Sequence, residues 1–253
     1  MASTDTWNPT QYERFAAERR EPFDELLALV HPTPGGRAVD LGCGSGELTV
    51  ELHRHLGATS TLGIDSSGAM LGKAPDADGV TFEIGDLTTW WAATPVDVVF
   101  ANAALQWVPH HEVVLARLTE QLAPGGQLAI QVPWNHDHPS HTVLAEVAAE
   151  LLDDPAPDPV AENVLTPAHY AEVLYDLGFT EQHVRMQVFG HVLASAAEVV
   201  QWTKGTTLTR FKDDPRYDEL VAVYTERLVA ALGAHAPYFY AFKRILFWAR
   251  AAL

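Results

Sequence analysis

Between Arg37 and Val132 the chain alternates short runs of β-branched and aliphatic residues with stretches in which apolar side chains recur every three or four positions. Runs of the first kind fit strands buried on both faces, and stretches of the second fit helices that bury one face. The alternation therefore predicts right-handed βαβ units and a parallel sheet. Strands are expected near residues 37–41, 60–64, 80–84, 96–101 and 126–132, with Gly57, Gly79 and the turn Pro124-Gly125-Gly126 where the chain hands over to a strand. Beyond Val132 the rhythm breaks in the loop 133–141, and again, after a helix near 140–152, in the proline-rich loop 153–159. Thr166 and Pro167 read as the cap and first-turn proline of a helix running to Gly178, with a strand near 182–192 after it. Ser195 is expected to cap a helix ending near Gly205, Asp214-Pro215 to open one reaching about Leu232, and residues 240–249 to form the last strand.

The expected fold is α/β, a Rossmann-like doubly wound sheet of seven mostly parallel strands. Two helices inserted between the last two strands would form a cap over the crevice beyond the strands' carboxyl ends, where open sheets bind ligands. A length of 253 residues, 47% of them hydrophobic, suits one large domain over 1–253. Residues 1–36 would supply N-terminal lid helices, 37–133 the cofactor-binding core, and 134–253 the last strands with a helical substrate cap.

The first strand leads into a chemical signal. Residues 39–46 read Val-Asp-Leu-Gly-Cys-Gly-Ser-Gly, and Asp65 follows nineteen residues after the last glycine, at the end of the next apolar run. Alternate glycines remove the Cβ atoms that would keep backbone from a ligand, and an acid at the second strand's end can accept both hydroxyls of a ribose. A dinucleotide would need the spacing Gly-x-Gly-x-x-Gly and a helix N-terminus free to hold its diphosphate. Here Gly42, Gly44 and Gly46 are evenly spaced, and Glu47 stands where the helix begins, so its carboxylate would repel a phosphate. An unphosphorylated nucleoside fits better; the plainer alternative is a turn that only packs a helix on a strand.

A formal charge of −17 argues against nucleic acid and anionic membrane surfaces as partners. The middle of the chain is nearly bare of positive charge. Basic residues gather at Arg14, Arg19 and Arg20 and again from Lys204 to Arg250, which suggests an anion pocket built from the two ends or, as readily, solvated helix faces. The single cysteine, Cys43, excludes an internal disulfide and reads as a small filler of the glycine turn. With no signal-peptide pattern and no apolar run of membrane-spanning length, a cytoplasmic monomer is expected.

Several segments together resemble the trans-aconitate methyltransferases, a family of class I S-adenosylmethionine (SAM)-dependent enzymes. They are Trp7-Asn8-Pro9 with Tyr12 and Phe15, Val39 to Gly46, Gly63 to Ser67 with Ala69-Met70-Leu71, Gly85-Asp86, Phe100 to Pro109, Gln131-Val132-Pro133, and Trp202-Thr203-Lys204-Gly205-Thr206. The narrowest signal is Asn-Ala-Ala-Leu-Gln-Trp at 102–107. The resemblance implies SAM as cofactor, S-adenosylhomocysteine (SAH) as product, and methyl esterification of a small polycarboxylic acid. Thr207 to Phe211 and Pro237 to Arg244 depart from the family pattern, which bears on the substrate and not on the cofactor.

For the cofactor, Asp40 is expected to hold its amino group or the glycine turn, Gly42 to let the methionine part pass, and Asp65 with Ser66 to take the ribose. Asp86 and Leu87 would bind adenine, with Met70 on its face, and Asn102 and Ala103 would accept from the ammonium. Arg20 is a candidate for the cofactor carboxylate. Gln106 and Trp107 should face the transferred methyl, and Trp7, Tyr12 and Phe15 at helical spacing suggest a lid, with Tyr12 at the reacting centre. Lys204, Arg210, Lys243 and Arg244 are candidates for substrate carboxylates, and Tyr240 and His136 for neutral donors. His136, His138 and His141 invite a metal reading, but no carboxylate or cysteine partner shows ligand spacing, so no metal is expected. A carboxylate acceptor is ionised at neutral pH and needs no general base. The alternatives are another small acid, an acyl-carrier-bound acid, a hydroxyl with His136 or His110 as base, or cofactor binding without turnover.

Overall fold

The computed structural model describes residues 16–153, 155 and 157–253. Over them run α1 (Ala16–Leu27), β1 (Arg37–Leu41), α2 (Glu47–Leu56), β2 (Ser60–Asp65), α3 (Gly68–Leu71), β3 (Val80–Ile84), β4 (Val96–Asn102), a 3-10 turn (Leu105–Trp107), α4 (His111–Thr119) and β5 (Leu122–Pro133). There follow α5 (Pro139–Leu151), α6 (Pro159–Asn163), α7 (Pro167–Asp176), β6 (Glu181–Leu193), α8 (Glu198–Lys204), a second 3-10 turn (Thr207–Phe211), α9 (Tyr217–Leu232) and β7 (Tyr238–Arg250). The seven strands form one sheet in the order β3-β2-β1-β4-β5-β7-β6. Pairings through β5 are parallel, and only β7 runs against its neighbours β5 and β6.

Strand periodicity sends alternate residues to opposite faces, and each face meets its own helices. Ala38, Val98, Phe100 and Trp248 pack under Phe23 and Leu26 of α1 and Leu52 and Leu56 of α2. Val39, Val99, Leu128 and Phe247 pack under Leu115 and Leu118 of α4 and Tyr170 and Leu174 of α7. Each such side chain removed from water contributes roughly 1.5–3 kcal/mol before entropy is counted. A third core joins the inserted cap to the sheet: Trp202 of α8 and Leu220, Tyr224 and Leu228 of α9 close over Leu144 and Val147 of α5 and Tyr240 and Phe242 of β7. The cap is tied there by the Tyr224 hydroxyl, which donates to the Ser140 carbonyl at 3.0 Å.

Differences from the expected elements fall at ends and turns. β5 starts at Leu122, because Leu122 pairs with Val96 before a register shift carries the ladder on from Gln127 opposite Val98. The helix expected from Ser195 is capped at Ala197, with the Glu198 amide bonded to the Ser195 carbonyl at 3.1 Å. Asp214 forms a turn ahead of α9, its carboxylate accepting from the Arg216 amide at 2.7 Å, so that Arg216 occupies the cap position. The loop 153–159 leads into a short helix not expected from sequence, α6, capped by Asp158 through the Val160 amide at 3.0 Å. Thr166 caps α7 through the His169 amide at 3.2 Å, as expected. Among the described residues no helix is long and apolar enough to cross a membrane. Trp7, Tyr12 and Phe15 lie outside the described residues.

Candidate active site

The strand order reverses between β1 and β4, and a cavity of about 480 Å³ opens at the carboxyl ends of these strands and of β2 and β3. Gly42 and Gly44 line it from the turn after β1, Asp65 and Ser66 from the end of β2, Asp86, Leu87 and Thr88 from the loop after β3, and Asn102, Ala103 and Trp107 from β4 and the turn beyond. Met70 and Ile64 supply apolar wall, and Thr209, Arg210 and Asp213 reach it from the cap.

Each glycine of the turn has its own reason. Gly42 has φ +77°, and a Cβ there would lie 2.2 Å from the Ala104 Cβ. Gly44 has φ +59° and sits under Met70. Gly46 does not line the cavity: a Cβ there would meet the Phe82 ring at 2.4 Å, so the third glycine serves the packing of α2 against β3. Asp65 is fixed by two backbone donors, Gly44 at 2.8 Å to Oδ2 and Ser67 at 2.9 Å to Oδ1. Each oxygen keeps a lone pair for a ligand. Asp86 Oδ1 accepts from the Thr88 amide and hydroxyl at 2.7 and 2.6 Å, and the loop behind it is held by Arg117, which donates to the carbonyls of Leu87 and Thr88.

Asp40 does not line this cavity; it lies beneath the turn, buried, and accepts from Thr49 Oγ1 at 2.6 Å. Burial raises its carboxyl from 3.8 to about 7, with the Thr49 bond opposing and the Asp65 charge adding to the rise. The folded state then holds a proton that the unfolded chain releases, so stability falls as pH rises from about 4 to about 7. Asp40→Asn is expected to flatten that decline in urea unfolding of the ligand-free protein; an unchanged slope would refute the buried, protonated Asp40. The Cys43 thiol is likewise pushed up by burial and by the Asp40 and Asp65 charges, which suits a filler.

β4 ends in Asn102 and Ala103, and Ala103 takes φ +55°, an uncommon conformation for a residue with a Cβ. Its amide donates to the Gln131 carbonyl at 2.9 Å, and its carbonyl accepts from Gln106 Nε2 at 2.8 Å. Buried His111 supports the turn that follows: Nε2 donates to the Leu105 carbonyl at 2.9 Å, Nδ1 accepts from the Tyr170 hydroxyl at 2.6 Å, and burial lowers its basicity, which favours this neutral form. Behind the strand end lies a second, smaller cavity of about 70 Å³, sharing Asn102, Ala103 and Trp107 with the first. Gln106, His141, Thr203, Thr206, Tyr240 and Arg244 also line it. The Asn102 Oδ1 and Gln106 Oε1 atoms are buried and have no hydrogen-bond partner among the described residues.

Strand and helix periods sort the substrate candidates. Tyr240, Phe242 and Arg244 share one face of β7 and reach the smaller cavity, whereas Lys243 points away and pairs with Asp137. Thr203 reaches the cavity from α8, and Lys204, one helical step of about 100° further round, lines neither cavity. Arg210 lines the larger cavity, its Nη1 donating to the Pro157 carbonyl at 2.7 Å. The three histidines go to separate partners: His136 sits edge-on to Trp134, His138 caps α5 through the Ser140 amide, and His141 pairs with Asp158. Arg20 is not brought to the cavity; its guanidinium is taken up by Asp24 and Glu51, whose carboxylates stand beside it on α1 and α2. Tyr12 lies outside the described residues. Asp158, Asp213 and Arg117 were not foreseen at the site, because no local motif marks them and tertiary packing brings them there; His141 stood only in the metal reading, and Thr206 and Thr209 stood in family segments without a site role.

Residues 38–126 match the family model of a methyltransferase domain. Over 96% of its length the chain is 41% identical to a trans-aconitate 2-methyltransferase of Deinococcus radiodurans, covering 97% of that protein. The chain belongs to the trans-aconitate 2-methyltransferase family. A family member from Variovorax paradoxus is 40% identical over 82% of each chain. A Haloferax volcanii methyltransferase, solved in complex with the Trm112 activator, superimposes with a TM-score of 0.61 at 20% identity over 97% of this chain and 95% of its own, a likeness of fold. The family's enzymes are class I methyltransferases that use SAM. The larger cavity fits that cofactor: it presents carboxylates at Asp65 and Asp86 for hydroxyl and amino donors, a buried acceptor at Asn102 Oδ1, without a partner among the described residues, for a cationic nitrogen, and a glycine turn with no basic side chain for a phosphate.

Proposed function

We propose that the protein transfers the methyl group of SAM to a carboxylate of trans-aconitate or a closely similar small polycarboxylic acid, giving a methyl ester and SAH. The observation that carries this reading is Arg244, 5% exposed, on the wall of a small cavity that joins the cofactor-sized one at Asn102, Ala103 and Trp107. A guanidinium set there, donating to the Gln131 amide oxygen at 3.4 Å and lying over the Phe242 ring, can meet an anion that enters the cavity. Asp65 would hold the ribose, Asp86 with the Leu87 amide the adenine, Met70 its face, and Asn102 the ammonium. SAM, when bound, supplies an electrophilic methyl group on a cationic sulfur.

The chain's residues then have three tasks. Arg244 and Tyr240 would hold a carboxylate that does not react, which leaves the attacking carboxylate unneutralised. Gln106 and Trp107, at the junction of the two cavities, would border the reacting oxygen with uncharged groups. Cap residues Thr209, Arg210 and Asp213 would close the larger cavity and keep water from the carboxylate, which sharpens its nucleophilicity. The new bond forms from a carboxylate oxygen lone pair, and no proton moves.

Incubation with methyl-labelled SAM and trans-aconitate should give label that base releases, as an ester must. Transfer to no polycarboxylic acid in a panel would refute the reading. Because carboxylates are fully ionised well above their pKa of about 4, kcat should stay level from about pH 6 to about pH 8.

A further inference from the structure

The smaller cavity carries a buried acid–base pair to which the transfer step assigns no task. His141 Nδ1 lies 2.6 Å from Asp158 Oδ2, and the two side chains are 6% and 8% exposed. Asp158 Oδ1 accepts from the Val160 amide at 3.0 Å and faces Arg210 Nη1 at 3.7 Å. Burial pushes the Asp158 carboxyl up, but its pairing with His141, the charge of Arg210 and the Val160 amide outweigh it and hold the group below the ordinary carboxylate range. An ionised Asp158 can only accept, so His141 Nδ1 carries the hydrogen and Nε2 of a neutral ring is an acceptor. Yet His141 lines the same cavity as Arg244 and Tyr240.

We propose that His141 is a second carboxylate-binding group, which takes one proton from solvent when a polycarboxylic acid binds and is then held as an imidazolium between Asp158 and a substrate carboxylate. The proposal rests on the polycarboxylate reading above. A carboxylate brought to the neutral ring would set lone pair against lone pair; one proton on Nε2 turns that repulsion into a charge-assisted hydrogen bond. An acid with a single carboxylate would engage one cationic group, whereas a polycarboxylic acid engages Arg244 and recruits the second. The proton belongs to His141 because its neighbours are otherwise fixed. His138, at the start of the same helix, is lowered to about 4, chiefly by burial, and stays neutral. Arg210 faces Asp158 from the cap, and on β7 Arg244 lines the same cavity while burial raises the Tyr240 phenol, so the phenol keeps its proton.

Calorimetric titration of trans-aconitate into the SAH-loaded protein, in neutral buffers of unlike ionisation heat, reads the proton directly. Uptake approaching one proton per substrate is expected, with KM rising as pH rises. His141→Gln, which keeps the bulk, should abolish the uptake and raise KM about tenfold to a hundredfold, more than it lowers kcat. Retained SAH binding by that variant reports the fold, and Asp158→Asn should shift uptake and KM in the same direction. Heat independent of buffer, with methyl transfer intact, would overturn the role of His141 and leave the transfer reading standing. A wild-type kcat that falls on acidification would make His141 a general base and overturn it too. Absence of both polycarboxylate binding and transfer would overturn both readings.

Discussion

Asp65→Ala is expected to weaken SAM binding by about a hundredfold or more, since two charge-assisted hydrogen bonds to a ribose are together worth about 3 kcal/mol or more. The effect reaches beyond the ligand. Asp65 also receives the Gly44 and Ser67 amides, so the substitution frees the glycine turn from the start of α3. Asp65→Asn, able to accept but uncharged, should fall between the two. Isothermal titration with SAM measures the series, and an affinity for Asp65→Ala within about threefold of wild type would remove Asp65 from the ribose site.

The second large effect belongs to Arg244. Arg244→Met should lower kcat/KM for trans-aconitate about a hundredfold or more while leaving SAM affinity in place, because the lost contact is a charge-assisted one made in a water-poor cavity. Arg244→Lys should recover only part of that loss: an ammonium cannot lie flat over Phe242 as the guanidinium does at 4.6 Å. His191 offers a second readout. Burial, and after it the Arg244 charge, lowers His191 to about 4, so removing the charge should raise its titration, as NMR would follow. Full activity of Arg244→Met would place the substrate elsewhere.

The first four strands were legible because they are short, largely apolar and set off by turn residues, and burial of β1 and β4 on both faces makes their apolar pattern nearly continuous. The cofactor cleft was legible for a related reason: Gly42, Gly44, Asp65, Asp86 and Asn102 all sit at strand ends, where sequence order and spatial order coincide. The smaller cavity was not, because it is assembled from the ends of β4 and β5, α5, α8 and β7, and sequence spacing says nothing of how these meet. Strand parity could have separated Arg244 from Lys243, both of which stood as candidates, since Tyr240, Phe242 and Arg244 alternate along one face. Nothing local could have paired His141 with Asp158 across a proline-rich loop. Arg20 was misplaced because a basic residue ahead of the first strand suits a ligand carboxylate and a neighbouring Glu51 equally well until the helices are packed.

Leu193 and Tyr238, the residues at which the chain leaves the sheet and returns to it, are register partners across β6 and β7. The 194–237 segment thus begins and ends at one place, like a loop on a hairpin, while the cofactor turn and its acids lie on the far strands. The segment can therefore be exchanged without rebuilding the sheet: a cap grafted from a relative between those two residues would replace the Thr203, Thr206, Thr209, Arg210 and Asp213 walls of the two cavities, and leave the glycine turn, Asp65 and Asp86 in place together with His141, Tyr240 and Arg244.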